Sequence, residues 1–174
     1  MEPKDKKKKP IAPEKALERL ASLCARSEQC TADLSEKLRK MEIAPADVED
    51  ILARLRELKF LDDSRYARAL ARDKVRFAGW GRMKIRQQLM VKRIPALEIE
   101  AALAEIDPQD YKEALIRVAK AKVKMLDLKE FDHRTKLLKH LMSRGFESNL
   151  AVRMVQEIVK RLPEEDSPEC DELS

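Results

Sequence analysis

The residues of this chain that could do chemistry are mostly cations. From Arg65 to Arg93 stand ten bases, Arg65, Arg68, Arg72, Lys74, Arg76, Arg82, Lys84, Arg86, Lys92 and Arg93, against one acid, Asp73. A guanidinium grips a phosphate or a carboxylate through two parallel hydrogen bonds, so the chemistry on offer is recognition of an anion. On a helix Arg65, Arg68, Arg72 and Arg76 fall within roughly 80° of one another, with Tyr66, Leu70 and Phe77 on a different side, free to pack inward. After Gly79-Trp80-Gly81, a second helical run places Arg82, Arg86 and Arg93 on one side. Such a basic ledge suits nucleic acid or an acidic protein groove, although charge runs on helices are also ordinary solvated faces. Trp80, the only tryptophan, is a residue type enriched at binding hot spots and equally able to anchor its own fold.

Bond-breaking chemistry has little to stand on. Asp62 and Asp63 are adjacent, so a regular helix cannot aim both at one reacting centre, and helix capping explains them. His133 and His140 lie two helical turns apart without an array of Cys or carboxylates, which argues against a metal site. Ser27, Cys30 and Thr31 lack a nearby base. There is no Gly-rich phosphate loop and no GxSxG. The expectation is a protein with no catalytic residues, no metal and no cofactor.

The elements that must carry these residues are helices. With 3 Gly, 4% aromatic residues and no β-branched runs of strand type, a sheet has nothing to build on. Helical spacing runs from Pro13 to about Arg26, from Thr31 (a possible cap) through Met41, and from Pro45 through Leu58. It continues from Asp63 or Ser64, from Arg82 to about Lys92, and from Pro95 to Ile106. The last three runs are Gln109 to Met125, Phe131 to Arg144 and Asn149 to Arg161, with Gly145 and Pro163 as stops. Leu, Met and Ile at these spacings read as core.

Nine helices invite a search for a repeat. Leu34, Ile85 and Leu137 align; so do Leu38, Leu89 and Leu141; Ile43, Ile94 and Phe146; Leu52, Leu103 and Val155; and Leu55, Ile106 and Ile158. These five apolar columns are spaced by 51 and 52 residues. The predicted fold is all-α: three tandem three-helix repeats stacked into an elongated, curved rod. The first repeat covers residues 13–60, the second, with the ledge, 61–107, and the third 108–162. Residues 1–12 form a disordered basic tail and 163–174 a disordered acidic one. A chain ending after Asp107 should then keep two folded units.

The net charge of +5 becomes +8 once residues 1–10 and 163–174 are set aside, leaving 32 bases and 24 acids. That supports contact with phosphates or an acidic protein surface. No stretch reads as a secretory signal or a membrane span. Cys24, Cys30 and Cys170 read as reduced thiols of a cytoplasmic protein.

Two segments resemble a known family. Leu61-Asp62-Asp63-Ser64-Arg65-Tyr66-Ala67 and Gly79-Trp80-Gly81-Arg82-Met83-Lys84-Ile85-Arg86-Gln87-Gln88-Leu89 are similar to motifs of the RecX regulatory proteins, which modulate the bacterial RecA recombinase. In that family the second motif usually reads glycine, aromatic, glycine, proline, then basic residues. Here Arg82 stands for the proline, Met83 for a base and Gln88 for an acid. The first unit fits through Arg26-Ser27-Glu28 and Leu34-Ser35-Glu36-Lys37-Leu38, without the glycine often found near Met41-Glu42. The resemblance spans about Ala16 to Leu162. It implies tandem three-helix units, binding to RecA filaments on DNA, and inhibition of recombinase and co-protease activity in the regulation of DNA repair and the SOS response, without catalysis.

The expected partner is therefore the RecA filament, with single- or double-stranded DNA as a further one, no membrane, and a monomeric chain. The expected binding residues are Arg65, Arg68, Arg72, Arg76, Trp80, Arg82, Lys84, Arg86, Lys92 and Arg93. The alternative from a different class is a nucleic-acid-binding protein of tandem helix-turn-helix-like units.

Overall fold

The computed structural model describes residues 11–161, which hold nine α-helices and no strand: α1 (Pro13–Cys24), α2 (Thr31–Lys40), α3 (Pro45–Glu57), α4 (Asp63–Arg76), α5 (Arg82–Val91), α6 (Ala96–Ala104), α7 (Pro108–Val123), α8 (Phe131–Ser143) and α9 (Ser148–Lys160). Packing follows chain order. α1 and α2 lie on α3, α4 and α5 on α6, and α7 and α9 on α8, while α4 against α7 is the main helix contact between successive units. The result is three three-helix units stacked into an elongated, curved rod. The lysine run of residues 1–10, the acidic stretch from 163 and Cys170 lie outside the described residues.

The five apolar columns are the core. Leu34, Leu38, Ile85, Leu89, Leu137 and Leu141 are all 0% exposed. Ile43, Ile94 and Phe146, and Leu52, Leu103 and Val155, are buried beside them. Only Ile158 of the fifteen is partly exposed. The residue before the third column shows why one repeat keeps a glycine there. Glu42, Arg93 and Gly145 end equivalent helices with φ of 59°, 58° and 89°, the left-handed turn that closes a helix. Glu42 and Arg93 face solvent and tolerate it, whereas a Cβ on Gly145 would lie 2.5 Å from the Lys84 backbone nitrogen.

The apolar residues form two bodies. Ala16, Leu20, Leu34, Leu38, Ile51, Leu52 and Leu55 of the first unit make one cluster, joined by Leu61 just beyond it. The second and third units make up most of the other, in which Ala71, Val75, Ile85 and Leu89 join Tyr111, Leu115, Val118, Leu137 and Phe146; buried Cys30 of the first unit belongs to it as well.

Several local expectations are corrected. Phe77 caps the end of α4 and is 84% exposed, so it does not join the inward face of Tyr66 and Leu70. Leu58, past the end of α3, is also exposed. Met83, Met90 and Met142 have helical spacing but point outward, because Ile85, Leu89 and Leu141 already occupy the inward faces. Thr31 begins α2 and does not cap it; the cap position is Cys30. Pro95 likewise sits at the cap of α6, just outside the helix.

The cap of α4 is Asp62, whose Oδ1 accepts from the Ser64 and Arg65 backbone N–H groups at 2.9 and 3.0 Å. Those bonds, the one from Arg65 foremost, hold its carboxyl below the usual range. A folded-state value below the unfolded one adds stability above about pH 4, lost as pH falls through the lower folded value. Asp62→Ala is expected to cost about 1 kcal/mol at pH 7 and to flatten the acid limb of the stability profile. Urea titrations from pH 2.5 to 7 check this; an unchanged acid limb would contradict the capping role.

Candidate functional site

The ten cations of the ledge were expected to stand together with one acid among them. Tertiary structure corrects both parts of that expectation. Arg65 Nε meets Glu28 at 2.5 Å, Arg68 Nε meets Glu105 at 2.8 Å, and Arg76 Nε meets Asp110 at 2.6 Å. Arg82 reaches Glu147 at 3.4 Å, Lys92 reaches Asp33 at 2.6 Å, and Arg86 pairs with Glu100. Among the described residues Arg72 pairs only with its neighbour Asp73, at 3.6 Å. Sequence reasoning missed Glu28, Asp33, Glu100, Glu105, Asp110 and Glu147 because each lies outside the basic window or on another helix. For all but Glu100, which lies in the middle of α6, the one signal available is a position near the start or end of a neighbouring helix.

Pairing also divides the ledge. Arg68, Arg72 and Arg76 line a furrow of about 180 Å³ beside Glu105 and Asp110. Lys84 and Arg86 border a different furrow, between α5 and the end of α8. Lys92 and Arg93 face α2 across a third, mixed-charge cleft with Asp33, Glu36 and Arg39. α6 causes the split, because Glu105 draws Arg68 of α4 to one side of it and Glu100 draws Arg86 of α5 to another.

The joint between the first and second units buries Cys30 and packs Ala32 against the second unit's core, and surrounds them with polar ties. The Thr31 backbone N–H and hydroxyl both donate to Asp63, at 2.7 Å each. Arg65 binds Glu28 and donates to the carbonyls of Lys59 and Phe60. Lys92 is held charged above its usual range by its bond to Asp33. Asp63, read as a cap, is thus an inter-unit tie.

The joint between the second and third units is closer. α5 has no side-chain cap, and the third unit supplies acceptors for its first amides. Gly81 N–H donates to Arg144 O at 2.8 Å, Arg82 N–H to the Tyr111 hydroxyl at 3.0 Å, and Met83 N–H to Gly145 O at 3.0 Å. A proline at position 82 could not make the second of these bonds. Tyr111 in turn donates to Glu147 at 2.6 Å while the Arg82 guanidinium sits 4.0 Å over its ring. Burial, and then Glu147, push the Tyr111 hydroxyl well above its usual range, so it stays a donor.

Trp80 leans on the shared core with the Lys74 and Lys84 ammoniums 4.9 and 4.7 Å from its ring. Beside it Arg117 donates to the Val75 and Arg76 carbonyls at 3.2 and 2.6 Å, and Arg144 donates to Ala78 O, closing the end of α4. His133 contacts the Asp127 backbone, and burial, then Lys122 and Arg144, lower the affinity of His140 for a proton. Among the described residues no group of three His, Cys, Asp or Glu is placed to hold a metal, and no helix is long and apolar enough to cross a membrane. Burial raises both the Cys24 and Cys30 thiols, leaving them protonated at neutral pH.

Fold and surface together define an all-α helical-repeat protein with charged furrows between its units and along α5. Comparison with known proteins makes this specific. Residues 62–103 match the family described as RecX, second three-helix domain. The chain is 34% identical over 124 residues to regulatory protein RecX of Vibrio parahaemolyticus, covering 71% of this chain and 79% of that one. It is 30% identical over 145 residues to that of Prosthecochloris aestuarii, covering 83% and 94%. A crystal structure of regulatory protein RecX superposes with a TM-score of 0.71 at 25% identity, covering 83% of this chain and 71% of that one. RecX from Lactobacillus salivarius shares the fold, with a TM-score of 0.73 at 19% identity and coverage of 85% and 97%. The chain belongs to the RecX family of regulatory proteins.

Proposed function

We propose that this protein is a cytoplasmic, non-catalytic regulator that binds RecA filaments on DNA and inhibits recombinase and co-protease activity. Membership of the RecX family across most of the chain carries this reading. The architecture supports it: a row of stacked units presents contacts over a length that a single globule lacks, and weak contacts at several units add through effective concentration. The test is RecA-dependent ATP hydrolysis and strand exchange on single-stranded DNA, with this protein well below RecA in amount. Inhibition is expected; indifference of RecA alongside binding to naked DNA would favour the alternative of a nucleic-acid-binding protein. A specific observation favours keeping that alternative: Lys74 and Lys84 flank Trp80 and form no carboxylate ion pair among the described residues.

Of the ten proposed binding residues, those without a strong internal acid partner are the clean probes. Arg72 and Arg93 are exposed, and among the described residues Arg93 forms no side-chain ion pair. Arg72→Glu with Arg93→Glu is expected to weaken inhibition about tenfold with helical content unchanged, whereas deleting residues 1–10 acts less and mostly at low salt. The reverse ranking would move binding to the lysine run. Reversing Arg68, Arg82 or Arg86 instead sets like charges against Glu105, Glu147 or Glu100, and would confound binding with folding.

A further inference from the structure

α5 is apolar on both sides. Ile85 and Leu89 face the core at 0% exposure, yet Met83 and Met90, seven residues apart on the outer face, are 56% and 63% exposed. The close passage of Gly81 against Gly145 brings the end of α8 alongside, and Met142 joins them at 47% exposure. The three thioethers line a furrow of about 540 Å³ bordered by Lys84 and Arg86. It adjoins a second furrow of about 300 Å³, which shares Arg86 and Met90 and reaches Ile94 and Ile99. Among the described residues Glu100 is the only acid in either lining, and it is tied to Arg86. Unbranched thioethers repack around varied shapes, and an apolar patch rimmed by charge marks a contact surface.

We propose that this furrow seats an amphipathic, acidic helix of a partner protein. Its aliphatic side chains, at i, i+3 or i+4 and i+7, enter among Met83, Met90 and Met142, and its carboxylates meet Lys84 and Arg86. The assignment rests on the filament reading above, so the helix is one exposed by a protein subunit of the filament. Other occupants fit the chemistry less well. A phosphate backbone could meet Lys84, Arg86, Gln87 and Ser143 but would leave the three thioethers between them without an apolar partner. A flat bilayer surface does not enter a furrow between two helices. A second copy would bring the Lys84 and Arg86 rims against each other.

Methionine oxidation footprinting tests this on the full chain. In dilute hydrogen peroxide Met83, Met90, Met142 and Met125 oxidise readily in the free protein, Met125 being 75% exposed and outside the furrow. With saturating RecA filaments on single-stranded DNA, Met83, Met90 and Met142 are expected to slow about tenfold while Met125 does not. The variant Met83→Gln, Met90→Gln, Met142→Gln alters only outward-facing side chains and is expected to pellet with filaments about tenfold more weakly. If the natural chain pellets with filaments but its furrow methionines oxidise at the free rate, the furrow assignment is overturned and the filament reading stands. If the natural chain does not pellet at all, both fall. Protection by anionic phospholipid vesicles or by raising protein concentration, without protection by filaments, would assign the furrow to a membrane or a second copy and overturn the proposal.

Discussion

Gly81→Ala is expected to destabilise this protein by about 3 kcal/mol, lowering its thermal midpoint by roughly 6 to 12 °C. The backbone at Gly81 is not unusual, with φ of −82°; the cost comes from what faces it. A Cβ there would lie 2.1 Å from the carbonyl carbon and oxygen of Gly145, and backbone cannot swing aside as a side chain can. Relief would pull the start of α5 away from α8 and break the bonds from Gly81 to Arg144 and from Met83 to Gly145. Arg82 would lose the Tyr111 hydroxyl as well. Differential scanning calorimetry gives the midpoint, and hydrogen exchange should show faster loss at the Gly81 and Met83 amides. A midpoint within 2 °C of the natural chain would mean that the two backbones are not in contact.

Ending the chain after Asp107 is expected to unfold the second unit along with removing the third. Counting repeats suggests otherwise, since two complete units would remain. The apolar cluster reverses that expectation, because Ala71, Val75, Ile85 and Leu89 share it with Tyr111, Leu115, Val118, Leu137 and Phe146. Removing the third unit strips those partners and takes away Arg117 and Arg144, which satisfy carbonyls at the end of α4. It also leaves the first amides of α5 without acceptors. The first unit has its own cluster and should keep its helices. Circular dichroism per residue should fall by about a third or more relative to the full chain, with a broad transition replacing a sharp one. A monomeric, fully helical fragment with a sharp transition would show that the second unit stands alone. Inhibition of RecA by such a fragment would further remove the need for the third unit in binding.

Much of this fold is legible in the sequence because its determinants are local. The heptad-like spacing of Leu34 with Leu38, Ile85 with Leu89 and Leu137 with Leu141 sets helix faces within one or two turns, and the recurrence of those pairs sets the repeat. Capping is local too: the spacing starts the fourth helix at Asp63 or Ser64, and the cap is Asp62, one position before the first and two before the second. Phe77 and the three outward methionines were misread because spacing reveals that a helix has an apolar side, not which of two apolar sides meets the core. On α5, Ile85 and Leu89 take the inner side, and nothing within ten residues of sequence excludes Met83 and Met90 from it.

The surface is a different case. That ten cations cluster between Arg65 and Arg93 is a property of the sequence alone, as are the helices that carry them, the three-unit repeat and the resemblance to RecX. Which of those cations remain available is decided by tertiary structure. Glu28, Asp33 and Glu147 lie 37, 59 and 65 positions from the bases they meet. They come within reach only because stacking sets the first and third units against the second. An ion pair depends on a few ångströms in space, and no spacing along the chain reports that distance. The fold was therefore written in short-range periodicity, whereas the charge pattern a partner would meet exists only once the units are stacked.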